Sequence, residues 1–381
     1  MSTRTAEVLT AVDTLLSPYT LFKGMSILFE PYRIRNMRLR NRFMRSATTS
    51  YWADEEGVVK DAHVRLYRAL AGGGVGLVVK GHMYVADNGK AHDGMAGISS
   101  DRHIPMLRRL TDAVHEEGGS IVAQINHAGV VHKPDRAGPS AYSEDDWTAR
   151  EMTVDEIEAA VEAYGDAAER AMQAGFDGVQ IHGAHGYLVS QFLSRQVNKR
   201  TDTWGGNLEN RMRFLMEVYD EVRGRVGNTP VLIKMNCDDF SPEGFTVDDS
   251  VKVALAIAEK GIDLIEVSGG GRGRREGLRA RARHTDPALA ELAFAGHASK
   301  IRDATRPTPM ALVYGFRRLE TMRKAVDTGL TDVVSMSRPF IREPDLVRRL
   351  QSGQREVSCT RCDACSGSDV FGKTMLRCQL E

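Results

Sequence analysis

The chain has 381 residues, and its 51 Lys and Arg balance 51 Asp and Glu, so the formal net charge at pH 7 is zero. This balance argues against a protein that grips nucleic acid or an acidic membrane surface through its overall charge. With 42% hydrophobic and 27% charged residues, no secretory h-region at the N-terminus and no apolar run of about 18 residues, the sequence predicts a globular, cytoplasmic protein of enzyme size.

The predicted elements begin after an N-terminal extension, residues 1–27. Residues 31–43 alternate polar and apolar side chains around Asn36 and Met37, which predicts a β-hairpin that runs into a strand. From there, short apolar runs rich in β-branched residues alternate with longer segments of helical periodicity. We interpret eight of these runs as strands: 41–47, 74–81, 120–127, 178–183, 230–236, 263–270, 310–315 and 332–338.

The helices between them are clearest at 155–175 and 209–227, where apolar residues recur every three or four positions and a Gly closes each segment. The strands lack polar alternation, which favours a parallel sheet buried on both faces. Eight such strands alternating with helices predict a (β/α)8 TIM barrel over residues 28–355. An open doubly wound sheet is the alternative, but no strand is followed by a G-x-G-x-x-G turn with an acidic residue downstream.

In a barrel of this kind, the residues directly after each strand form the active site. His182, His185, Tyr187 and Gln191 follow the fourth strand as a cluster of polar groups. A lone buried His is more often a satisfied structural residue, but two imidazoles beside a phenol indicate chemistry. Gln124 closes the third strand, and its amide offers both a donor and an acceptor to the edge of a heterocyclic ring.

Cations and small residues close other strands. Thr48 closes the first strand, and Lys234 closes the fifth, where a buried cation is costly unless it meets an anionic group. Gly315, Ser337 and Arg338 follow strands seven and eight, where such barrels often hold a phosphate. The alternative for the arginine is a surface ion pair. Together the strand ends predict a phosphorylated aromatic cofactor with the two histidines and the tyrosine above it.

Four of the five cysteines lie in a C-terminal tail, residues 356–381, as a C-x2-C-x2-C-x12-C run. These are Cys359, Cys362, Cys365 and Cys378. A secreted disulfide framework would spread its cysteines along the chain, so we interpret the run as metal ligands. Four thiolates suit either Zn²⁺ or an iron–sulfur cluster, and reduced thiols without a metal are a third alternative.

The loop after the sixth strand, residues 269–286, is rich in arginine. Its six arginines are Arg272, Arg274, Arg275, Arg279, Arg281 and Arg283. One interpretation is recognition of the phosphates of NADPH or of a CoA ester. The alternative is an ordinary solvated loop.

From LFEPYRIRNMRLRNRF to REPDLVRRL, these residues resemble the old yellow enzyme family of FMN-dependent oxidoreductases, most specifically in HGAHGYLVSQFLSRQVNKRTDTWGGNLENRMRF (182–214). The chain is similar to the branch with the flavin domains of 2,4-dienoyl-CoA reductase and trimethylamine dehydrogenase, whose comparable cysteine run holds a [4Fe-4S] cluster. One departure is Tyr314, where the family usually has the first of two glycines. Five polar residues of the signature are interpreted as scaffold: Asn198, Arg200, Asp202, Asn210 and Arg211.

The resemblance implies FMN as cofactor and NAD(P)H as electron donor. It implies that Gln124 binds the flavin pyrimidine edge, that Lys234 lies by N1 and the C2 carbonyl, and that Thr48 lies near the C4 carbonyl and N5. Further implied cofactor-binding residues are Ser46, Ala47, Gly81, Gly315, Ser337 and Arg338. It also implies that His182 and His185 bind the substrate carbonyl and that Tyr187 donates a proton.

We therefore predict an enzyme that takes hydride from NAD(P)H and reduces the activated C=C bond of α,β-unsaturated carbonyl compounds. The alternatives are a flavin-dependent amine dehydrogenase or N-demethylase, and an FMN/Fe-S electron-transfer module. The expected partners are a small enone or enoyl substrate and, because a second flavin domain is not expected, a separate electron-transfer protein. Nucleic acid and membranes are not expected partners, and the N-terminal extension is compatible with packing in a homo-oligomer.

Overall fold

The fold begins with a hairpin that closes one end of a barrel. The computed structural model of the protein describes residues 26–271, 291–367, 370 and 374–380. Strands β1 (Tyr32–Ile34) and β2 (Met37–Leu39) pair antiparallel, as predicted. Buried side chains of the hairpin pack against those inside the barrel, near the residues where the barrel strands begin. The opposite end of the barrel, where the strands finish, is therefore left for function.

Eight parallel strands form the closed barrel, which confirms the predicted (β/α)8 fold. The strands after the hairpin are β3 (Phe43–Arg45), β4 (Leu77–Tyr84), β5 (Ser120–Asn126), β6 (Ala137–Gly138), β7 (Tyr142–Glu144), β8 (Trp147–Glu151), β9 (Gly178–Gly183), β10 (Val231–Asn236), β11 (Leu264–Ser268), β12 (Met310–Val313) and β13 (Val333–Met336). The barrel consists of β3–β5 and β9–β13, with β13 pairing back to β3. Apart from Ser120, all residues of these eight strands are buried, which explains why the sequence shows no polar alternation.

The helices of the described residues are α1 (Asp61–Gly72), α2 (Ile104–Glu116), α3 (Val154–Gln173), α4 (Leu188–Leu193), α5 (Leu208–Val226), α6 (Val247–Glu259), α7 (Ala295–Thr305), α8 (Leu319–Asp327), α9 (Arg338–Arg342) and α10 (Leu346–Gln351). The two clearest predicted helices correspond to α3 and α5. Each begins at a side-chain cap, since Thr153 accepts from the Glu156 amide and Asn207 accepts from the Asn210 amide. In the part of the chain that the structure describes, no helix is long and apolar enough to cross a membrane.

A small sheet outside the barrel was not predicted. Strands β6, β7 and β8 lie between β5 and α3 and pair with one another rather than with the barrel. They are two to five residues long and rich in polar side chains, so they carry no apolar run that sequence analysis could recognise. The guanidinium of Arg136 lies 4.3 Å from the centre of the Trp147 ring, a cation–π contact that helps to stabilise this small sheet.

Candidate active site at the carboxyl ends of the barrel strands

A hydrogen-bonded network crosses the interior of the barrel. The amide of Gln124 donates to Gln180 Oε1 at 2.8 Å, and Gln180 donates to Glu266 Oε2 at 3.0 Å. The fully buried Glu266 carboxylate also accepts from the hydroxyls of Ser46 and Ser335, both at 2.7 Å. The network therefore joins residues from five barrel strands or their ends.

Lys234 is the cation of this network. Its Nζ donates to Ser46 Oγ at 2.6 Å and lies 3.3 Å from Glu266 Oε1, because β10 and β11 bring the two charged residues side by side. Glu266 is thus the anionic partner that a buried lysine requires. The sequence analysis missed it, together with Gln180, although a single carboxylate in the apolar run LIEVS was an available signal.

Four histidines and a tyrosine line one part of the barrel mouth, which we name the histidine side: His82, His92, His182, His185 and Tyr187. The ring centroids of His182 and His185 are 5.3 Å apart, and the Tyr187 ring is 5.0 Å from that of His182. The His82 ring lies 5.7 Å from His182 and 5.0 Å from Tyr187, and His92 lies 5.7 Å from His82. The sequence analysis predicted the group after β9 and did not name His82 and His92, which come from β4 and its following loop.

Hydrogen bonds fix the orientation of several of these rings. His185 has a left-handed backbone with φ of 64°, and its Nε2 lies 2.8 Å from Ser268 Oγ at the end of β11. Its backbone amide donates to Asn236 Oδ1 at 3.2 Å. His82 Nδ1 lies 3.0 Å from the side-chain amide of Asn126. Strands β4, β5, β9, β10 and β11 are thereby tied together around the histidine side.

Burial keeps two imidazoles of this side, those of His82 and His182, neutral. Removal from water lowers the pKa of His182 well below its usual 6.5, and the neighbouring His185, His82 and Lys234 lower it further. Burial and the nearby His92, Lys80 and His185 have the same effect on the pKa of His82. The Nδ1 atom of His182 is buried without a hydrogen-bond partner among the described residues. Such an atom is costly unless a ligand satisfies it.

A second part of the mouth, which we name the arginine side, consists of Arg317, Arg338 and Arg361. All three line one cavity between the ends of β12 and β13, together with Gly315 and Ser337. Arg338 pairs with Asp363, and its guanidinium lies 5.3 Å from the centre of the Tyr314 ring. Arg338 thus forms an ion pair and also lines this cavity, and its predicted role at a phosphate stays a prediction.

The turn after β12 has the left-handed backbone expected of a glycine pair. Tyr314 and Gly315 have φ of 91° and 103°, and a Cβ on Gly315 would lie 1.8 Å from the carbonyl oxygen of Glu291. The buried Glu291 carboxylate accepts from the backbone amides of Arg317 and Arg318 at 2.7 and 2.6 Å. Glu291 therefore holds the turn in place, and the sequence analysis missed it. Tyr314 departs from the family pattern in its side chain while adopting a backbone that glycine favours.

The residues after β3 connect the two sides. Thr48 Oγ1 lies 2.7 Å from Ser337 Oγ, whereas Thr49 Oγ1 lies 3.5 Å from His92 Nε2. The neighbouring Thr49, which was not predicted, is therefore the threonine in contact with the histidine side. Gly81 permits a close approach here, since a Cβ on it would lie 2.3 Å from the carbonyl oxygen of Thr48. Ala47, Thr48 and Ser337 line a cavity that also borders Cys365.

Gln191 is a scaffold residue rather than a member of the donor cluster at the mouth. Its Nε2 donates to the carbonyls of Ala128 and Gly186 at 3.0 and 2.7 Å, and its Oε1 accepts from the Val130 amide at 3.2 Å. The signature residues interpreted as scaffold behave similarly. Asn198 donates to the backbone carbonyls of Phe192 and Trp204, both at 2.8 Å.

All four tail cysteines line a single cavity beside the arginine side. They are free thiols, and Arg342 donates to Cys378 Sγ at 3.3 Å. Burial raises the pKa of Cys365. Within the described ranges, no group of three or more His, Cys, Asp or Glu side chains has the geometry of a metal site. The six arginines from Arg272 to Arg283 lie outside the described residues.

The chain is similar to a known family and to characterised oxidoreductases. A family model described as the NADH:flavin oxidoreductase / NADH oxidase family matches residues 27–356. An NADPH dehydrogenase of Geobacillus sp. (strain WCH70) is 42% identical over 250 residues, which is 64% of this chain and 73% of that protein. An NADH oxidase of Thermoanaerobacter brockii is 31% identical over 364 residues, or 92% of this chain and 55% of that protein.

Solved structures give a similar result. A 2-naphthoyl-CoA reductase in complex with 2-naphthoyl-CoA has a TM-score of 0.85 and 30% identity over 93% of this chain, which spans only 57% of that chain. An old yellow enzyme homologue from Zymomonas mobilis has a TM-score of 0.74 and 27% identity, covering 87% of this chain and 95% of that one. A histamine dehydrogenase from Rhizobium sp. 4-9 has a TM-score of 0.74 and 26% identity over 86% of this chain and 48% of that chain.

Proposed function

The chain belongs to the NADH:flavin oxidoreductase / NADH oxidase family, which includes the old yellow enzymes, and from this premise we propose its specific activity. The protein binds FMN, uses NAD(P)H as reductant and reduces the activated C=C bond of α,β-unsaturated carbonyl compounds. One observation carries this proposal. His182 and His185 lie with ring centroids 5.3 Å apart beside Tyr187, at the mouth of the barrel whose interior holds the Gln124–Lys234 network.

The cofactor would be held along the strand ends. The cavity lined by three arginines and by the glycine of the β12 turn fits a dianionic phosphate, since guanidinium groups are strong partners for phosphate oxygens. We propose that the following residues bind FMN: Ser46, Ala47, Thr48, Gly81, Gln124, Lys234, Gly315, Ser337 and Arg338. When bound, FMN supplies the hydride that adds to the β-carbon of the substrate.

The histidine side binds and polarises the substrate. Addition of hydride to the β-carbon pushes negative charge onto the carbonyl oxygen, and N–H groups of His182 and His185 stabilise that charge as it develops. The lowered pKa of His182 means that it donates as a neutral imidazole and places no full positive charge at the site. Tyr187 then donates its phenolic proton to the α-carbon, because a phenol is still protonated at neutral pH.

A thioester is one carbonyl compound that suits this site. The likeness to a reductase of 2-naphthoyl-CoA supports a CoA thioester as a member of the substrate class. Recognition of NADPH or CoA phosphates by the arginines from Arg272 to Arg283 stays a prediction from sequence. Equal kcat/KM values for NADPH and NADH would exclude recognition of the NADPH phosphate by these arginines.

We propose further that Cys359, Cys362, Cys365 and Cys378 hold a [4Fe-4S] cluster, which would connect the barrel to a separate electron-transfer protein. The proposal is supported by the single cavity that all four thiols line and by the resemblance to cluster-bearing relatives. Iron and acid-labile sulfide near four atoms each per chain are expected. Stoichiometric zinc, or a chain free of metal after anaerobic purification, would contradict the proposal.

Oxidation of amines is a second candidate function. The likeness to histamine dehydrogenase favours it, as does an aromatic wall at the mouth, where the Tyr51 and His92 ring centroids are 4.6 Å apart. Aromatic rings attract organic cations. The paired histidines, however, are better suited to a carbonyl oxygen than to a cationic amine.

An anaerobic spectral titration separates these activities. A flavin absorbance that bleaches with NADPH and recovers on addition of cyclohexenone is the expected result. Bleaching by histamine or trimethylamine would favour amine oxidation. A reduced flavin that recovers with one-electron acceptors and not with the enone would favour an electron-transfer module. A flavin that is bleached by NADPH or by an amine and is not reoxidised by the enone would contradict the proposed reduction of enones.

A further inference from the structure

The cavity between the ends of β12 and β13, which we name the phosphate cavity, adjoins the cavity lined by the four tail cysteines, which we name the cysteine cavity. Arg338, Cys359 and Arg361 line both cavities. The first of these follows β13, and the other two belong to the segment Cys359–Cys365, which we name the cysteine loop. A tail expected to bind a metal therefore also borders the position expected to bind the cofactor phosphate.

The backbone of the cysteine loop directs polar side chains toward the barrel. Arg361 and Asp363 have φ of 59° and 60°, a left-handed conformation that is unfavourable for residues other than glycine and persists where the surroundings hold it. In this conformation Asp363 forms an ion pair with Arg338. Arg361 meanwhile lines the cavity between β12 and β13 with Arg317. Both contacts depend on the loop lying where it does.

The charges around this cavity are matched to an anion. Three guanidinium groups line the cavity; Arg338 pairs with Asp363, and Arg317 Nη2 lies 2.6 Å from Glu356. Arg317 Nε is buried without a hydrogen-bond partner among the described residues. Repulsion among the three guanidinium groups that line this cavity is relieved when a dianion binds between them.

We infer that the cysteine loop completes the FMN phosphate site, with Arg361 donating to the phosphate and Asp363 orienting Arg338 toward it. The inference rests on the proposed binding of FMN and adds to it a residue from the tail that follows the barrel. The loop that carries three of the four clustered cysteines is then also a part of the cofactor site.

The test uses riboflavin, which has the same ring system as FMN and lacks the phosphate. Full-length protein stripped of flavin is titrated with each ligand, and binding is followed by quenching of flavin fluorescence. Arg361→Gln should raise the Kd for FMN about tenfold or more, the loss of one charge-assisted hydrogen bond, and leave the Kd for riboflavin unchanged. Arg361→Lys should fall between wild type and Arg361→Gln.

Two further variants keep the result interpretable. Asp363→Asn should also raise the Kd for FMN, but by less than Arg361→Gln does, because Arg338 remains and loses only its orienting partner. Arg377→Gln removes an exposed arginine of the same tail that borders neither cavity, and it should change neither Kd. Unchanged riboflavin binding also reports that each variant retains a folded barrel.

The outcomes separate the inference from the proposed function. If wild type binds FMN and Arg361→Gln binds it equally well, or if the variant loses FMN and riboflavin affinity to the same degree, the inference is wrong and the proposed function stands. If wild type binds neither flavin, the proposed function fails and the inference fails with it.

Discussion

The histidine side and the arginine side lie at the same end of one barrel and differ in the charge of their side chains. On the histidine side, burial lowers the pKa of His82 and His182 far enough that both imidazoles are neutral. On the arginine side, Arg338 and Arg317 form ion pairs with Asp363 and Glu356. One rim thus offers neutral hydrogen-bond donors in one place and fixed positive charge in another.

The difference follows from the residue types. Burial can neutralise a histidine, because its pKa starts near neutrality, but it cannot deprotonate an arginine at any ordinary pH. A transition state that gains charge at a carbonyl oxygen is served by preorganised neutral donors, whereas a phosphate dianion needs permanent cations. The two sides therefore suit the two ends of a phosphorylated cofactor, its reactive ring and its phosphate.

Tyr187→Phe should have the largest effect on activity and should act on the histidine side alone. Loss of a general acid lowers rates by about 10²- to 10⁴-fold. We expect this loss in the reoxidation of reduced enzyme by cyclohexenone, with no change in flavin reduction by NADPH, both measured by stopped flow. Tyr142→Phe, in the small sheet beside Trp147, is the matched control. If both half-reactions of Tyr187→Phe match wild type, Tyr187 is not the proton donor.

Glu266→Gln should damage the network within the barrel and reduce global stability. Removing the partner of a buried ion pair leaves Lys234 uncompensated, which costs about 3 kcal/mol of unfolding free energy. Urea unfolding at neutral pH measures this loss. The double variant Lys234→Met/Glu266→Gln should be more stable than Glu266→Gln alone. A single variant as stable as wild type would show that the ion pair contributes nothing.

Arg338→Gln should break the arginine side and leave the histidine side intact. Loss of a charged partner to the phosphate should raise the Kd for FMN about 10- to 100-fold, with riboflavin affinity unchanged. Arg349→Gln, an exposed arginine of α10 paired with Asp345, serves as control. An equal rise in the Kd for FMN and for riboflavin would mean that Arg338 stabilises the fold and does not bind the phosphate.

Lowering the pH should have the smallest effect for each group involved. It should reduce the free energy of unfolding through the buried histidines. Burial lowers the pKa of His63 to about 3 and of His127 to about 4, from an unfolded value of 6.5. The unfolded chain therefore binds more protons between these values, so stability is complete above pH 6.5 and falls below it. Each such histidine contributes about 1.4 kcal/mol per pH unit.

Urea unfolding at pH 7 and pH 5 measures this loss. The variant His127→Gln should lose less stability than wild type over that interval, since one linked histidine is gone. An unfolding free energy that is equal at the two pH values would contradict the assignment of neutral buried imidazoles.

The fold was predictable because its signals are local and repeated. Each barrel strand is buried on both faces and reads as a continuous apolar run, and α3 and α5 begin at side-chain caps. The strand-end rule then brought His182, Tyr187 and Lys234 to one end without any knowledge of contacts. The small sheet β6–β8 was not predicted because its strands are short and rich in polar residues.

The missed residues depend on contacts between distant segments. Glu266 stands level with Lys234, two residues before the end of its strand, and its partners Ser46 and Ser335 come from distant segments. His82 directly follows the predicted strand 74–81, so the strand-end rule covered this position and the sequence analysis did not apply it there. Glu291 and Arg361 come from segments whose position is decided by packing against the β12 turn. Sequence spacing contains no information about such packing.

The most direct test of the central claim follows the two hydrogens that enter the product. The enzyme is given cyclohexenone with NADPH that carries deuterium at the transferable position, in ordinary water, and the cyclohexanone is examined by mass spectrometry and NMR. The account predicts one deuterium at the β-carbon and a solvent-derived proton at the α-carbon, with product formation greatly slowed in Tyr187→Phe. Oxidation of the labelled NADPH without any labelled cyclohexanone would contradict it.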